Sequence, residues 1–195
     1  MPLSNRFEEA LAYAARLHAA QCRKGGCVPY ISHLLAVASI AIEHGADEDE
    51  AISALLHDAL EDQPREGETR REIRDRFGER VLAIVQGCTD TEDSPKPGWR
   101  ERKARFIAQI GAADASVRLV AASDKLHNVR SILLDYRRLG DGVWSRFTRR
   151  KDGTLWYYRE VVKALRSAGT SPLVEELERA VRELDAEVAG SPTSQ

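Results

Sequence analysis

Apolar residues recur three or four positions apart along almost the whole of this chain, and no stretch of useful length alternates with the two-residue period of a strand. That period commits the chain to helices, and the breakers between stripes set their ends. Phe7, Leu11, Ala14, Ala15 and Leu17 form the first stripe, with Ser4 or Asn5 placed to cap it. Gly25, Gly26 and Pro29 then interrupt the pattern. A second helix is expected from about Ser32 to His44. A third, capped by Asp47, runs through Leu55, Leu56 and Leu60 and ends at Pro64 and Gly67. Two short helices follow over 68–77 and 79–88, divided by Gly78. The acidic, proline-containing stretch from Thr89 to Trp99 reads as a surface loop. Further helices are expected over Arg100–Ile110, Ala115–Arg138 and Leu155–Ala168, with Gly140–Gly153 as a loop. A last helix carries an apolar seam at Leu173, Leu177, Ala180, Leu184 and Val188. The expected fold class is all-α: a compact bundle of eight or nine helices in one domain, residues 1–189, with a disordered tail at 190–195.

A chain of 195 residues can bury a core without disulfides. A formal net charge of −2 gives no global pull toward nucleic acid or an anionic membrane. There is also no basic stripe with interleaved aromatics. Glu8, Glu9 and Arg16 break the apolar stretch nearest the N-terminus, against a signal peptide, and no run of about 20 apolar residues is present. Cys22, Cys27 and Cys88 are odd in number and lack Cys-x-x-Cys spacing, so neither a disulfide framework nor a zinc knuckle is indicated. The expected location is the cytoplasm, with no nucleic-acid or membrane partner. The seam of the last helix either packs on the domain or pairs two chains into a homodimer.

The segment Leu55-Leu56-His57-Asp58-Ala59-Leu60-Glu61-Asp62 places four ionisable side chains in an otherwise apolar helix. Residues four apart stack on one helix face, so His57 is expected over Glu61 and Asp58 over Asp62, lining one wall of a cleft. Grouped carboxylates are expensive to bury unless a cation neutralises them. A His-Asp dipeptide alone occurs by chance, but two further segments add to it. His33 stands at a helix start after Pro29-Tyr30-Ile31-Ser32, and Asp124 follows the apolar run Leu119–Ala122. Two imidazoles and two carboxylates would make a mixed N/O site for a divalent ion, with manganese, iron, cobalt and zinc all compatible. Such an ion acidifies water, a neighbouring carboxylate can take the remaining proton, and cations such as Arg23, Lys24, Lys125 and Arg130 can hold phosphate. His127 is expected to be structural rather than a ligand. His18 stays outside the metal set. Trp156, Tyr157 and Tyr158 read as core, although one of the tyrosines could contact a base or phosphate. Lys96 or Arg100 could reach over a bound phosphate.

Four stretches resemble the hydrolase domain of the RelA/SpoT alarmone enzymes, within the HD superfamily. They are His18–Lys24, Pro29–His33, Leu55–Asp62 and Ser123–Arg130, spread over roughly residues 5 to 135. The resemblance implies an HD-superfamily helical bundle with one manganese ion on His33, His57, Asp58 and Asp124. It implies removal of the 3′-pyrophosphate from (p)ppGpp, by a stand-alone small hydrolase of the type represented in metazoa. It assigns Glu61 and Asp62 to the attacking water, Arg23 to the purine face, Lys24 to the nucleotide, and Asn128, Arg130 and Ser131 to the ribose and 3′-phosphates. Leu34 where proline is usual, Ser123 where alanine is usual, and Ser131 where threonine is usual depart from the family pattern without removing a ligand. Base preference and substrate stay open. An adenosine alarmone, the 2′-phosphate of NADPH, a nucleoside monophosphate, or nucleotide binding without turnover would each suit the same residues.

Overall fold

Side-chain caps start three of the helices, two of them at cap residues the sequence names. The structure, a computed structural model, describes residues 3–91, 95 and 97–190. Ser4 caps α1 (Asn5–Leu17) by accepting from the Arg6 N–H. After an irregular hairpin tied by Arg23 N–H to Val28 O and Tyr30 N–H to Gln21 O, α2 spans Ile31–Glu43. Asp47 and Glu50 form a reciprocal capping box at the start of α3 (Glu48–Leu56). The chain continues through α4 (Ala59–Asp62), α5 (Glu68–Phe77), α6 (Glu79–Cys88) and α7 (Trp99–Ala112). Asp114 caps α8 (Ala115–Leu139), and α9 (Arg150–Ala168) and α10 (Pro172–Gly190) complete the described chain. Short 3-10 turns occupy Arg65–Gly67 and Gly140–Arg146, and no strand occurs among the described residues.

The axis of the bundle is α8, a 25-residue helix about 37 Å long at 1.5 Å per residue. It packs against α2, α3, α6, α7, α9 and α10. Val120, Ala121, Ala122, Ser123 and Asp124 are all buried, so the helix is enclosed on every side at that level. Only small or partnered side chains fit there. Ser123 meets the condition by donating its hydroxyl back to Leu119 O at 2.9 Å. The core runs as one apolar cluster from Ala10 on α1 to Val188 on α10.

Two expectations change, and one left open takes the first of its two forms. The single helix expected across His57 and Asp58 divides there into α3 and α4. Asp58 adopts φ −95° and ψ −1°, in the bridge region between helix and strand where many active-site residues sit. Counting the four-residue α4 separately gives ten α-helices among the described residues, so the expected bundle of eight or nine helices stands. Second, α9 begins at Arg150, so Gly153 lies inside a helix instead of a loop. A Cβ on Gly153 would stand 2.3 Å from Arg149 Cβ and 3.5 Å from the Trp99 ring, so glycine serves close approach here. Gly153→Ala is expected to destabilise by about 1–3 kcal/mol, as overpacking does, lowering the melting temperature by several degrees in a thermal unfolding scan. Third, the α10 seam is spent within the chain: Leu173, Leu177, Ala180, Leu184 and Val188 are buried against α8 and α9, leaving none of that seam for a second chain. The tail expected beyond Gly190 falls, from residue 191 on, outside the described residues, as does Lys96.

Candidate active site

Three helices deliver two imidazoles and two carboxylates to one point. His33 sits in the first turn of α2, His57 and Asp58 at the break after α3, and Asp124 midway along α8. His33 Nε2 is 3.2 Å from Asp124 Oδ1 and 3.5 Å from Asp58 Oδ2. His57 Nε2 is 3.0 Å from Asp58 Oδ2 and 3.6 Å from Asp124 Oδ1. The donor atoms of His33, His57 and Asp58 all lie within 4.8 Å of one another.

The other nitrogens of both rings are engaged outward. His57 Nδ1–H donates to Ala54 O at 2.9 Å, which turns the Nε2 lone pair inward. That Nε2 is buried with no hydrogen-bond partner. His33 Nδ1 meets His127 Nδ1 at 2.7 Å. Burial, together with the nearby His33 and Arg23, pulls the His127 imidazole down to about 4. With His33 Nδ1 engaged by His127, its Nε2 is the nitrogen that faces Asp58 and Asp124. His127 thus orients a neighbouring ring rather than serving the centre directly, in line with its expected structural role.

The field at this point calls for positive charge. Burial would lower the His57 imidazole, yet Asp58 and Asp124 raise it well above its ordinary value. Burial would raise the Asp124 carboxyl, yet Lys125 and the two imidazoles hold it well below the carboxylate range. Asp58 is held low against burial by His57 and His33. An inward, partnerless imidazole nitrogen among carboxylates is what a divalent cation fits, and the cluster is able to hold one. Three groups orient the carboxylates. Tyr30 donates its hydroxyl to Asp58 Oδ2 at 2.5 Å, Asn128 its amide to Asp124 Oδ1 at 2.5 Å, and Lys125 its ammonium to Asp124 Oδ2.

His33, Asp58, Asp124 and the three groups that orient the carboxylates line a cleft of about 410 Å³, with His57 buried beside Asp58. Glu61 and Asp62 line one wall, although the break after α3 removes the continuous helix expected to stack them over His57 and Asp58. A hydrogen bond from Asp62 N–H to Asp58 O, 2.9 Å, preserves one turn of that relation. Asp62 Oδ2 accepts from Gln21 Nε2 at 2.7 Å, and Glu61 Oε1 is 3.9 Å from Arg102. His18 stays out of the centre: its Nδ1 meets Gln21 Oε1 and its ring stacks on Tyr30. Arg23 and Lys24 reach the cleft from the hairpin. The Arg23 guanidinium lies 5.9 Å from the Tyr30 ring centre and donates to Asn128 Oδ1 at 2.9 Å.

Lys125, Asn128 and Ser131 also line the cleft, but Arg130 does not. At about 100° per residue, Arg130 lies roughly 120° around the helix from Asp124. Its exposed guanidinium pairs instead with Glu176 on α10. Arg100 lies over the Trp156 ring at 3.4 Å. Sequence reasoning missed Gln21, Lys103 and Asp135 as lining residues; Tyr157 and Tyr158, read as core with one tyrosine open to a base or phosphate, are buried and also line the cleft. The Tyr30 hydroxyl was also missed, although the Pro29–His33 motif contains it.

Comparison with known proteins agrees with this geometry. A family model described as HD domain matches residues 10–155. A guanosine-3′,5′-bis(diphosphate) 3′-pyrophosphohydrolase from Xenopus tropicalis is 36% identical over 170 residues, covering 86% of this chain and 87% of that protein. One of the same enzyme name from Aquifex aeolicus is 37% identical over 129 residues, and there the match spans 18% of the relative's length. A solved structure described as a metazoan ortholog of SpoT that hydrolyses ppGpp superposes with a TM-score of 0.78 at 27% identity, covering 94% of this chain and 98% of its own. A crystal structure from Listeria monocytogenes gives 0.70 at 30% identity, covering 78% of this chain and 97% of its own.

The chain belongs to the HD-domain family. Within it, the chain is similar over nearly its whole length to the small RelA/SpoT-type hydrolases, and the all-α fold is theirs. Among the described residues no helix is long and apolar enough to cross a membrane.

Proposed function

We propose that this chain hydrolyses the 3′-pyrophosphate of guanosine 3′,5′-bis(diphosphate), giving GDP and pyrophosphate. The observation that carries the reading is the convergence of His33, His57, Asp58 and Asp124 on one point at the floor of a cleft that also holds Glu61 and Asp62. The similarity to the Xenopus tropicalis enzyme along 86% of the chain supports the substrate. In this reading residues 1–189 form one HD-type domain working in the cytoplasm. The single core cluster supports the first point and the odd cysteine count the second.

His33, His57, Asp58 and Asp124 hold one divalent ion, manganese(II) in this proposal, a choice compatible with two imidazoles and two carboxylates. When bound, the ion supplies Lewis acidity, polarising a phosphoryl oxygen and lowering the pKa of water. Glu61 and Asp62 take the proton of the attacking water, worth roughly 10²–10⁴ in rate. Water attacks the phosphorus bonded to O3′. The P–O3′ bond breaks with its electron pair going to O3′, which gains a proton from solvent. Arg23 offers its planar face to the base, and Lys24, Lys125, Asn128 and Ser131 bind the ribose and phosphates. Arg23→Ala is expected to raise KM about tenfold and change kcat little, because stacking binds substrate and transition state alike. Steady-state kinetics with an unchanged KM would remove Arg23 from the site.

A substrate panel tests the activity. Guanosine and adenosine bis(diphosphates), NADPH and nucleoside monophosphates are offered to the manganese-loaded protein, with phosphate and pyrophosphate measured separately. The reading expects pyrophosphate from the guanosine compound at the highest kcat/KM. A preference for another member would reassign the substrate. Tight nucleotide binding with no release would make the chain a binding module.

A further inference from the structure

One polar group on the cleft floor has no partner. Tyr157, on α9, is only 6% exposed yet lines the cleft, and its hydroxyl is enclosed without a hydrogen bond. Its ring is braced by Tyr158, with centroids 5.2 Å apart, and by Trp99 at 6.5 Å. Two ammonium groups face it. Lys103 Nζ is 4.9 Å and Lys125 Nζ 5.9 Å from the ring centre, and both also lie over Phe106, at 6.0 and 4.8 Å. Lys125 is tied to Asp124, so this group adjoins the metal-ligand cluster. Asp90 pairs with both Arg102 and Lys103, and Glu61 lies 3.9 Å from Arg102, so the cations at this end of the cleft are held in place by carboxylates. A buried hydroxyl without an acceptor is unfavourable in the free protein, and a phosphoryl oxygen would satisfy it. Burial also raises this phenol above its ordinary value, so it stays a donor.

We propose that the Tyr157 hydroxyl, together with the Lys103 and Lys125 ammonium groups that lie over its ring, is the subsite for the terminal phosphoryl group of a two-phosphate unit, and so makes the cleft select a pyrophosphate over a single phosphate. The inference rests on the phosphohydrolase reading above. The lysines offset the extra charge, and the rigid phenol supplies a hydrogen bond that a single phosphate next to Asp124 does not reach.

Tyr157→Phe removes only the oxygen and keeps the ring packed. Calorimetric titration of the manganese-loaded protein with inorganic pyrophosphate and with orthophosphate gives the first readout. The variant should lose roughly tenfold or more in pyrophosphate affinity, as for a hydrogen bond to a charged group, with orthophosphate affinity unchanged. Its melting temperature should equal or exceed that of the wild type, because no internal bond is lost. Lys103→Met should weaken pyrophosphate in the same selective way. Kinetically, kcat/KM should fall on a 3′-diphosphate substrate and hold on its 3′-monophosphate counterpart. Unchanged pyrophosphate affinity in Tyr157→Phe, or equal losses for both anions with a lower melting temperature, would overturn the proposal. If the wild type fails to turn over the guanosine bis(diphosphate), the functional reading falls, while the anion titrations still decide the role of Tyr157.

Discussion

Asp124→Asn is expected to empty the metal centre and stop turnover together. The substitution keeps the shape of the side chain and the partner of Asn128, but removes the charge that faces His33 and His57 at 3.2 and 3.6 Å. It also leaves Lys125 buried beside a neutral amide. Elemental analysis after gel filtration should find far less than one ion per chain. Activity at saturating substrate should fall at least roughly 10³-fold, since a Lewis-acid contribution is worth several kcal/mol. Circular dichroism separates this from misfolding. Full metal content with full activity would mean that Asp124 is not a ligand.

The second large effect separates binding from chemistry. Glu61→Gln combined with Asp62→Asn preserves volume and removes both basic oxygen pairs. Neither residue belongs to the quartet, so one ion per chain should remain. Nucleotide affinity should hold or tighten, because two negative charges leave a cleft that binds an anion. Single-turnover rates should fall at least roughly 10²-fold, the lower end for a lost general base. The Asp62 arm is also held by Gln21, so Gln21→Ala is a milder probe of the same wall. Loss of metal in the double variant would make the pair ligands, and a normal rate would remove them from the chemistry.

The helices were legible because their ends are chemical. Ser4, Asp47 and Asp114 each accept from a backbone N–H in the first turn of the helix they start. The quartet was legible because histidine and aspartate among apolar neighbours demand a compensating charge. The break between α3 and α4 was not: His57 keeps helical dihedrals of −57° and −30°, and only Asp58 departs, with no glycine or proline to mark it. Gly153 misled because a glycine that permits contact with Arg149 and Trp99 looks, in sequence, like one that permits a turn. Arg130 was offered by its charge and by resemblance, whereas its helical phase relative to Asp124 turns it toward Glu176 on α10. Lys103 could not be joined to the site from sequence, and of the tyrosines only the chance of a base or phosphate contact could be read, because the packing of α7 and α9 on α8 decides which side chains meet Lys125.

The central claim is that this cleft drives water onto the phosphorus bonded to O3′. Turnover of guanosine 3′,5′-bis(diphosphate) in ¹⁸O-enriched water tests it directly, with both products analysed by mass spectrometry. The account predicts one ¹⁸O atom in each pyrophosphate and none in GDP, with one pyrophosphate per GDP formed and no label gained when a chelator is present. Label in orthophosphate, or in the 3′-hydroxyl of GDP, would place the attack at a different atom and contradict it.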